Sequence, residues 1–163
     1  MMAAVPILHS ILLLALANGA PVLAKKLFAS RFALALDGGV LFLDGRPVFG
    51  ASKTIRGIVA SIVATAIGAT GVGLSFEIGA LVAILAMAGD LFSSFVKRRM
   101  NLPSSSQALG LDQIPESLFP LVVCREMLGL NYVDILLTVS LFFVGELALS
   151  RVLYVLRVRD QPY

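Results

Sequence analysis

Apolar residues in this chain fall into long blocks that are separated by polar segments. A membrane-spanning helix needs roughly 20 predominantly apolar residues, and most of the blocks approach that length. The pattern therefore predicts an all-α integral membrane protein with about five transmembrane helices, built as a single domain over residues 1–163. The predicted spans are about residues 3–24, 57–74, 78–97, 113–129 and 131–156.

Two of the five blocks are irregular. The first is interrupted by Asn18-Gly-Ala-Pro21, where we expect the helix to break because proline lacks an N–H donor. No basic residues precede this block, which argues against a signal peptide. The fourth block is short and contains Pro115 and Pro120, so a re-entrant or interfacial helix is the alternative to a full span.

The composition supports a membrane protein and limits its chemistry. Of the 163 residues 58% are hydrophobic and only 14% are charged, with a mean hydropathy of +0.94, whereas soluble domains carry about a quarter charged residues. The single Cys124 excludes an internal disulfide. His9 is the only histidine and is interpreted as a residue at the outer end of the first helix, so histidine-based acid–base or triad chemistry is not expected.

Basic residues are concentrated beside the apolar blocks. The segments 25–56 and 97–111, which we expect to be loops rich in glycine or serine, and the C-terminal tail hold eleven of the thirteen lysines and arginines. By the positive-inside rule the N-terminus lies outside and the C-terminus in the cytoplasm of the inner (cell) membrane. This distribution suits anionic lipid headgroups or a nucleoside triphosphate, and it gives no reason to expect nucleic acid as a partner.

Acidic residues inside the apolar blocks are the strongest functional signal. A carboxylate in hydrocarbon is costly and usually functional, and Asp90 lies deep within the third block. Asp90, Ser94 and Lys97 share one helical face, and Asp112 and Glu116 are one helical turn apart. Asp134 and Glu146 are interpreted as structural.

These residues together suit phosphoryl or nucleotidyl transfer. Asp90 and Asp112 could hold Mg²⁺, which prefers one or two carboxylates together with phosphate oxygens. Lysines and arginines of the two predicted loops could neutralise phosphates, and glycines would let the backbone approach them. Each feature alone has a plainer explanation, such as charges that set the topology or favour a helix N-terminus.

The order of the motifs resembles the CDP-archaeol synthase family, small membrane CTP-dependent cytidylyltransferases related to the phosphatidate cytidylyltransferases. The matching segments are residues 17–23, 36–39, 44–46, 49–57, 89–99 and 111–113. The resemblance implies that a lipid phosphate oxygen attacks the α-phosphorus of CTP, releasing pyrophosphate and forming a CDP-activated lipid, with Mg²⁺ as cofactor. The lipid would be an archaeal-type ether lipid phosphate or a phosphatidate-like one.

The resemblance also implies roles for individual residues. Asp90 and Asp112 would be metal ligands and, with Lys97, catalytic residues. The residues expected to bind CTP and the anionic lipid phosphate are Asn18, Asp37, Gly38, Gly39, Asp44, Lys53, Thr54, Arg56, Ser94, Arg98, Gln113 and Glu116. The site would face the cytoplasm, and the sequence leaves open whether the protein is a homodimer.

Two departures indicate a divergent member. Ala51-Ser52 precede Lys53 where the family commonly has Asp-Gly, and Pro115 occupies the position of a second acid, with Glu116 one place later. One alternative is a non-catalytic protein on the same scaffold, either a small transporter or a partner subunit. A CDP-alcohol phosphotransferase is disfavoured because the spacing Gly-x3-Asp-x3-Asp is absent from the sequence.

Overall fold

A computed structural model describes residues 4–155 and 157 of the chain. It confirms the prediction of an all-helical fold with five helices, and β structure in the described part is limited to two isolated bridges. By length and composition α1, α3 and α5 can each cross a membrane, while α2 is a shorter apolar helix. The helices are α1 (Ala4–Phe28), α2 (Ile55–Gly71), α3 (Phe76–Arg99), α4 (Gln113–Val123) and α5 (Tyr132–Val155).

Successive helices run in opposite directions. Lys26 Nζ donates to the carbonyl oxygen of Arg157 over 3.2 Å, so α1 and α5 end side by side. A Cβ at Gly129, just before α5, would lie 3.8 Å from Cγ of Pro6, so the two helices also begin together. The long loops 29–54 and 100–112 therefore share one end of the bundle, the loop end, and the short connections 72–75 and 124–131 share the other, the turn end.

Small residues and an apolar core hold the bundle together. A Cβ at Gly79 would lie 2.7 Å from Cα of Ala66, so α2 and α3 approach as closely as their backbones allow. Most of the buried apolar core lies toward the turn end, which leaves polar side chains in the half of the bundle near the loop end. The larger residues of this core are Ile7, Leu13, Leu14, Val82, Leu121, Leu128, Leu130, Ile135 and Phe142.

The expected break in α1 does not occur, because the helix continues through Pro21 to Phe28. Proline removes only one intrahelical hydrogen bond, and packing against a neighbouring helix can offset that loss. Pro21 lies against Gly57 of α2, where an added Cβ would be 3.4 Å from its ring. Residues 25–28 are therefore helical, and the loop that follows starts later than predicted.

The fourth helix is shorter than the predicted span. α4 has 11 residues, about 16 Å of helix, which is too short to cross a bilayer by itself. Before α4 begins, the chain runs alongside α3 toward the turn end, and there Ser93 Oγ donates to the carbonyl oxygen of Leu111. Since α4 begins beside Gly89, partway along α3, less helix is needed to reach the turn end.

Candidate active site

Four polar side chains lie at one height within the bundle. Asn18, Asp90 and Glu146 are each fourteen residues beyond the first residue of their helices, which all run toward the loop end. This places them about 14 Å below the ends of those helices. Asp90 and Glu146 are both close enough to Glu116 to interact with it electrostatically. These four residues are called the polar layer.

Glu116 is the most enclosed member of the polar layer. It is 5% exposed, and its Oε1 has no hydrogen-bond partner among the residues that the structure describes. Leaving a buried polar atom unpaired is unfavourable, so such atoms commonly mark positions where a ligand or ion is bound. The backbone of Glu116 is fixed by Gly89, where an added Cβ would lie 2.6 Å from its nitrogen.

An ion pair joins loop 29–54 to the polar layer. Lys53 Nζ lies 2.7 and 2.6 Å from the two carboxylate oxygens of Asp90, and both side chains are partly buried. The loop holds the lysine in place, since its backbone N–H donates to Gly50 and its carbonyl accepts from the N–H of Leu36. Lys53, which is predicted to bind substrate, and Asp90, which is predicted to bind a metal ion, are therefore in direct contact.

A second ion pair joins loop 100–112 to the last turns of α3. Lys97 Nζ lies 2.6 Å from Asp112 Oδ1, with side chains 8% and 18% exposed. Lys97 also donates to the carbonyl of Ser106. The other carboxylate oxygen of Asp112 accepts the N–H of Ala108 over 2.8 Å. Asp90 and Lys97 are two turns apart on α3, so the two pairs form a charged path from the loop end toward the polar layer.

Asp37 organises the glycine-containing part of loop 29–54. Its carboxylate accepts the N–H groups of Gly39, Phe49 and Gly50 at 3.1, 2.9 and 2.8 Å. Burial raises the pKa of Asp37, but these backbone hydrogen bonds outweigh it and the pKa is lowered overall. Gly38 and Gly39 have positive φ angles in the turn that follows.

Asp44 lies in a cluster that fastens the same loop to the end of α3. Its carboxylate is 3.0 Å from Arg99 Nε, and Arg46 donates to the carbonyl of Arg99 over 2.6 Å. The guanidinium of Arg99 lies over the rings of Phe42 and Phe95, 4.7 and 4.8 Å from their centroids. In this structure Asp44 contacts these groups rather than the two lysine–aspartate pairs.

Arg56 and Thr54 have local partners around the start of α2. The Arg56 guanidinium donates to the carbonyls of Ala29 and Arg31 just after α1. Thr54 Oγ1 accepts the N–H of Gly57 over 3.1 Å and so caps α2. Arg56, which is predicted to bind phosphate, thus lies where the end of α1 meets the start of α2.

The remaining predicted residues line the 100–112 segment or the buried face of α3. Arg98 is buried and donates to the carbonyl of Pro103, and its Nε has no hydrogen-bond partner among the described residues. Gln113 is buried and its side chain accepts the N–H of Gly110. Ser94 is also buried, on the same helix as Asp90.

The sequence interpretation missed two features. One is that Glu146, which the sequence analysis interprets as structural, lies in the polar layer, and its sequence signal, an acid within an apolar span, is the same as that of Asp90. Ser104 donates to Ser52 over 3.1 Å and so links the two long loops. Nothing in the sequence spacing indicates that second contact.

The chain is similar to proteins of one family. A family profile described as CarS-like, CDP-archaeol synthase, matches residues 69–163, more than half of the chain. The CDP-archaeol synthase of Pyrobaculum calidifontis is 34% identical over 152 residues, covering 90% of each chain. That of Saccharolobus islandicus is 31% identical over 138 residues, covering 78% of this chain and 81% of the relative.

A solved structure shares the fold. It was described as giving structural insight into an intramembrane enzyme for archaeal membrane lipids biosynthesis, and it matches with a TM-score of 0.66 at 28% identity. The match covers 84% of this chain and 90% of the other. The matched profile, the relatives of similar length and the shared fold agree, and the chain belongs to the CDP-archaeol synthase family.

Proposed function

We propose that this integral membrane protein is a CTP-dependent cytidylyltransferase that converts an anionic lipid phosphate into a CDP-activated lipid and releases pyrophosphate. The observation that carries the proposal is the pair of lysine–aspartate contacts, Lys53 with Asp90 and Lys97 with Asp112, below two loops. They supply cations for phosphates and carboxylates for a metal ion in one place. Family membership gives the reaction, and phospholipid biosynthesis is the process it would serve.

The lysines act by changing partners. When CTP enters from the loop end, Lys53 and Lys97 bind its phosphates and leave the carboxylates on which they rest in the structure. Buried Arg98, with an unpaired Nε, adds positive charge beside Lys97. The nucleophile is an anionic phosphate oxygen of the lipid, so the reaction needs no general base, and the bond between the α-phosphorus and the pyrophosphate oxygen breaks as the new P–O bond forms.

The donor set fits Mg²⁺. Asp90 and Asp112 offer carboxylate oxygens, the ligand type that Mg²⁺ prefers, and the unpaired Oε1 of Glu116 lies within electrostatic range of Asp90. Among residues 4–155 and 157 no three acidic, histidine or cysteine side chains are grouped as a metal site, so substrate phosphates would supply further ligands. Bound there, the ion would neutralise charge that develops on the phosphates.

The orientation follows from charge. The loop end carries Lys53 and the basic triplet that ends α3, and the positive-inside rule places such an end in the cytoplasm. The N-terminus is then outside, the C-terminus inside, and the candidate site opens toward cytoplasmic CTP.

A transporter on the same scaffold is the second class of function considered. It would place its charged groups near the centre of the helices, and Asp90 does lie two turns below Lys97. Both aspartates, however, are paired with lysines, and the proteins that match most of the chain are synthases. The enzyme is therefore the better-supported function.

The proposal is tested by measuring pyrophosphate release from detergent-purified protein with Mg²⁺, CTP and a panel of ether- and ester-linked lipid phosphates. Release that requires both CTP and a lipid phosphate is the expected result. Asp90→Asn should lower turnover by at least about 100-fold, since even outer-shell partners of a bound metal change affinity or activity by about 10- to 100-fold.

The matched control is Glu126→Gln, which neutralises an exposed acid at the turn end and should retain full activity. Folding of both variants is checked by thermal unfolding. A folded Asp90→Asn variant that turns over like the unchanged protein would remove Asp90 from the site. A folded, CTP-binding protein that releases no pyrophosphate with any lipid phosphate would refute the proposed reaction.

A further inference from the structure

A cavity of about 240 Å³, called the groove, lies between α1 and α5. Its walls are almost entirely apolar, and it extends along α1 from Ile11 to Val22, about 16 Å of helix. That volume is below the roughly 300–1,000 Å³ of pockets that enclose a whole drug-sized ligand, and it suits a segment of a hydrocarbon chain. The apolar side chains that line it are Ile11, Val22, Leu141, Phe142 and Leu149.

One border of this groove belongs to the candidate active site. Asn18 from α1 and Glu146 from α5 both line the groove, and both are members of the polar layer. Glu146 interacts electrostatically with Glu116, which in turn interacts with Asp90. The groove therefore connects the flank of the bundle to the polar layer.

Above the groove, toward the loop end, α1 and α5 are joined. Lys26 Nζ donates to the carbonyl of Arg157, beyond the last groove residues Val22 and Ser150. α5 packs chiefly on α1 and α4 and leaves α2 and α3 on the far side of the bundle. A ligand that enters between α1 and α5 thus comes from the side, between two helices that are long and apolar enough to cross a membrane.

A lipid phosphate substrate needs a polar site for its phosphate and an apolar surface for its chains, and the groove lies between the two. Its phosphate must reach lysines and aspartates inside the bundle, while moving its chains out of an apolar environment is unfavourable. We propose that the groove between α1 and α5 receives a hydrocarbon chain of the lipid phosphate substrate while its headgroup lies at the polar layer. This inference rests on the proposed function and adds to it the entry side and the chain-binding surface.

Two glycines leave the groove open. A Cβ at Gly19 or at Gly145 would meet no described atom within 4 Å, and both residues line the groove from opposite helices. Both lie inside helices, where a larger residue is compatible with the backbone and has a better helix propensity. Leucine at either position would therefore add bulk to the groove, and its Cβ would disturb no packed contact.

The test compares Gly19→Leu and Gly145→Leu with Gly71→Leu, a helical glycine near the turn end that also has open space around it. For each variant kcat/KM is measured with one long-chain and one short-chain, water-soluble lipid phosphate at saturating CTP. In both groove variants the preference for the long chain should fall at least 10-fold, and in Gly71→Leu it should stay within about 2-fold of the unchanged protein. An unaltered preference in both groove variants would overturn the inference.

A second readout does not depend on turnover. A lipid phosphate with a photoactivatable group in its chain should label α1 and α5 around Gly19 and Gly145 of the unaltered protein, and Gly145→Leu should reduce that labelling at least fivefold. Labelling confined to other helices refutes the groove. If the unaltered protein turns over no lipid phosphate, the reaction fails, and the labelling pattern alone then decides whether the groove holds the chain.

Discussion

Asp37 shows how a single carboxylate can shape a loop. The motif around it suggested a residue that lines the substrate site, whereas its oxygens accept three backbone N–H groups of its own loop. Two of these donors, Phe49 and Gly50, are more than ten residues away, so the spacing of the sequence does not indicate them. Asp90 was easier to identify, because an acid within an apolar span already stands out in the sequence.

We expect the order of this loop to depend on the charge of Asp37. Because its pKa is lowered on folding, its contribution is complete above the unfolded value of about 3.9 and is lost as the pH falls through the lower folded value. The protection of the Phe49 and Gly50 amides against hydrogen exchange, which is the observed rate compared with the intrinsic rate at the same pH, should therefore be high at pH 5. It should fall below about pH 4.

Asp37→Asn should lower the protection of the Phe49 and Gly50 amides at every pH, and the remaining protection should no longer fall below about pH 4. Glu126→Gln, a neutralised acid at the turn end, should behave like the unaltered protein. Equal protection in Asp37→Asn and the unaltered protein would show that the loop is held by other contacts.

The helices were predictable in number but not in length. Hydropathy located all five, because each must be apolar to contact lipid or core. α1 runs through Pro21 because Gly57 of α2 packs there, and α4 is short because residues 108–112 descend beside α3. Both outcomes depend on contacts between helices that are distant in sequence.

Gly89 determines how close α4 comes to α3. An added Cβ would lie 2.6 Å from the nitrogen of Glu116, too close for any real contact, and backbone cannot move as a flexible side chain can. Gly89→Ala should therefore destabilise the protein by about 1–3 kcal/mol. It should also displace Glu116 and lower turnover.

The matched control is Gly71→Ala, at the end of α2, where an added Cβ meets no described atom within 4 Å and alanine favours the helix by up to about 1 kcal/mol. Thermal unfolding of both variants in one detergent gives the comparison. A melting temperature for Gly89→Ala equal to that of Gly71→Ala would mean that α3 and α4 can separate without cost.

In the whole molecule, the charged residues of the candidate site lie in the half near the loop end, and most of the apolar core lies toward the turn end. The alternation of five blocks was enough to predict that both long loops lie at one end of the bundle, where α5 also ends. It could not predict that Glu116 joins the polar layer, because that depends on where α4 begins beside Gly89.

The orientation in the membrane can be tested with single cysteines in a Cys124→Ala background. Leu43, 96% exposed in loop 29–54, and Glu126 at the turn end are suitable positions. A membrane-impermeant maleimide should label Glu126→Cys in intact cells and Leu43→Cys only after the cells are opened, because basic loops remain in the cytoplasm. The reverse labelling pattern would show that the loop end, with the candidate site, faces the outside of the cell.

The two lysine–aspartate pairs have a consequence for the speed of turnover. Lys53 and Lys97 are paired with Asp90 and Asp112 in the structure, so in the proposed reaction CTP binding would exchange one ionic contact for another. Part of the attraction between lysine and phosphate is used to separate the existing pairs, which weakens the affinity for CTP. In that reaction the reverse exchange would follow turnover: each aspartate would pair with its lysine again, and pyrophosphate would not have to leave unpaired cations behind.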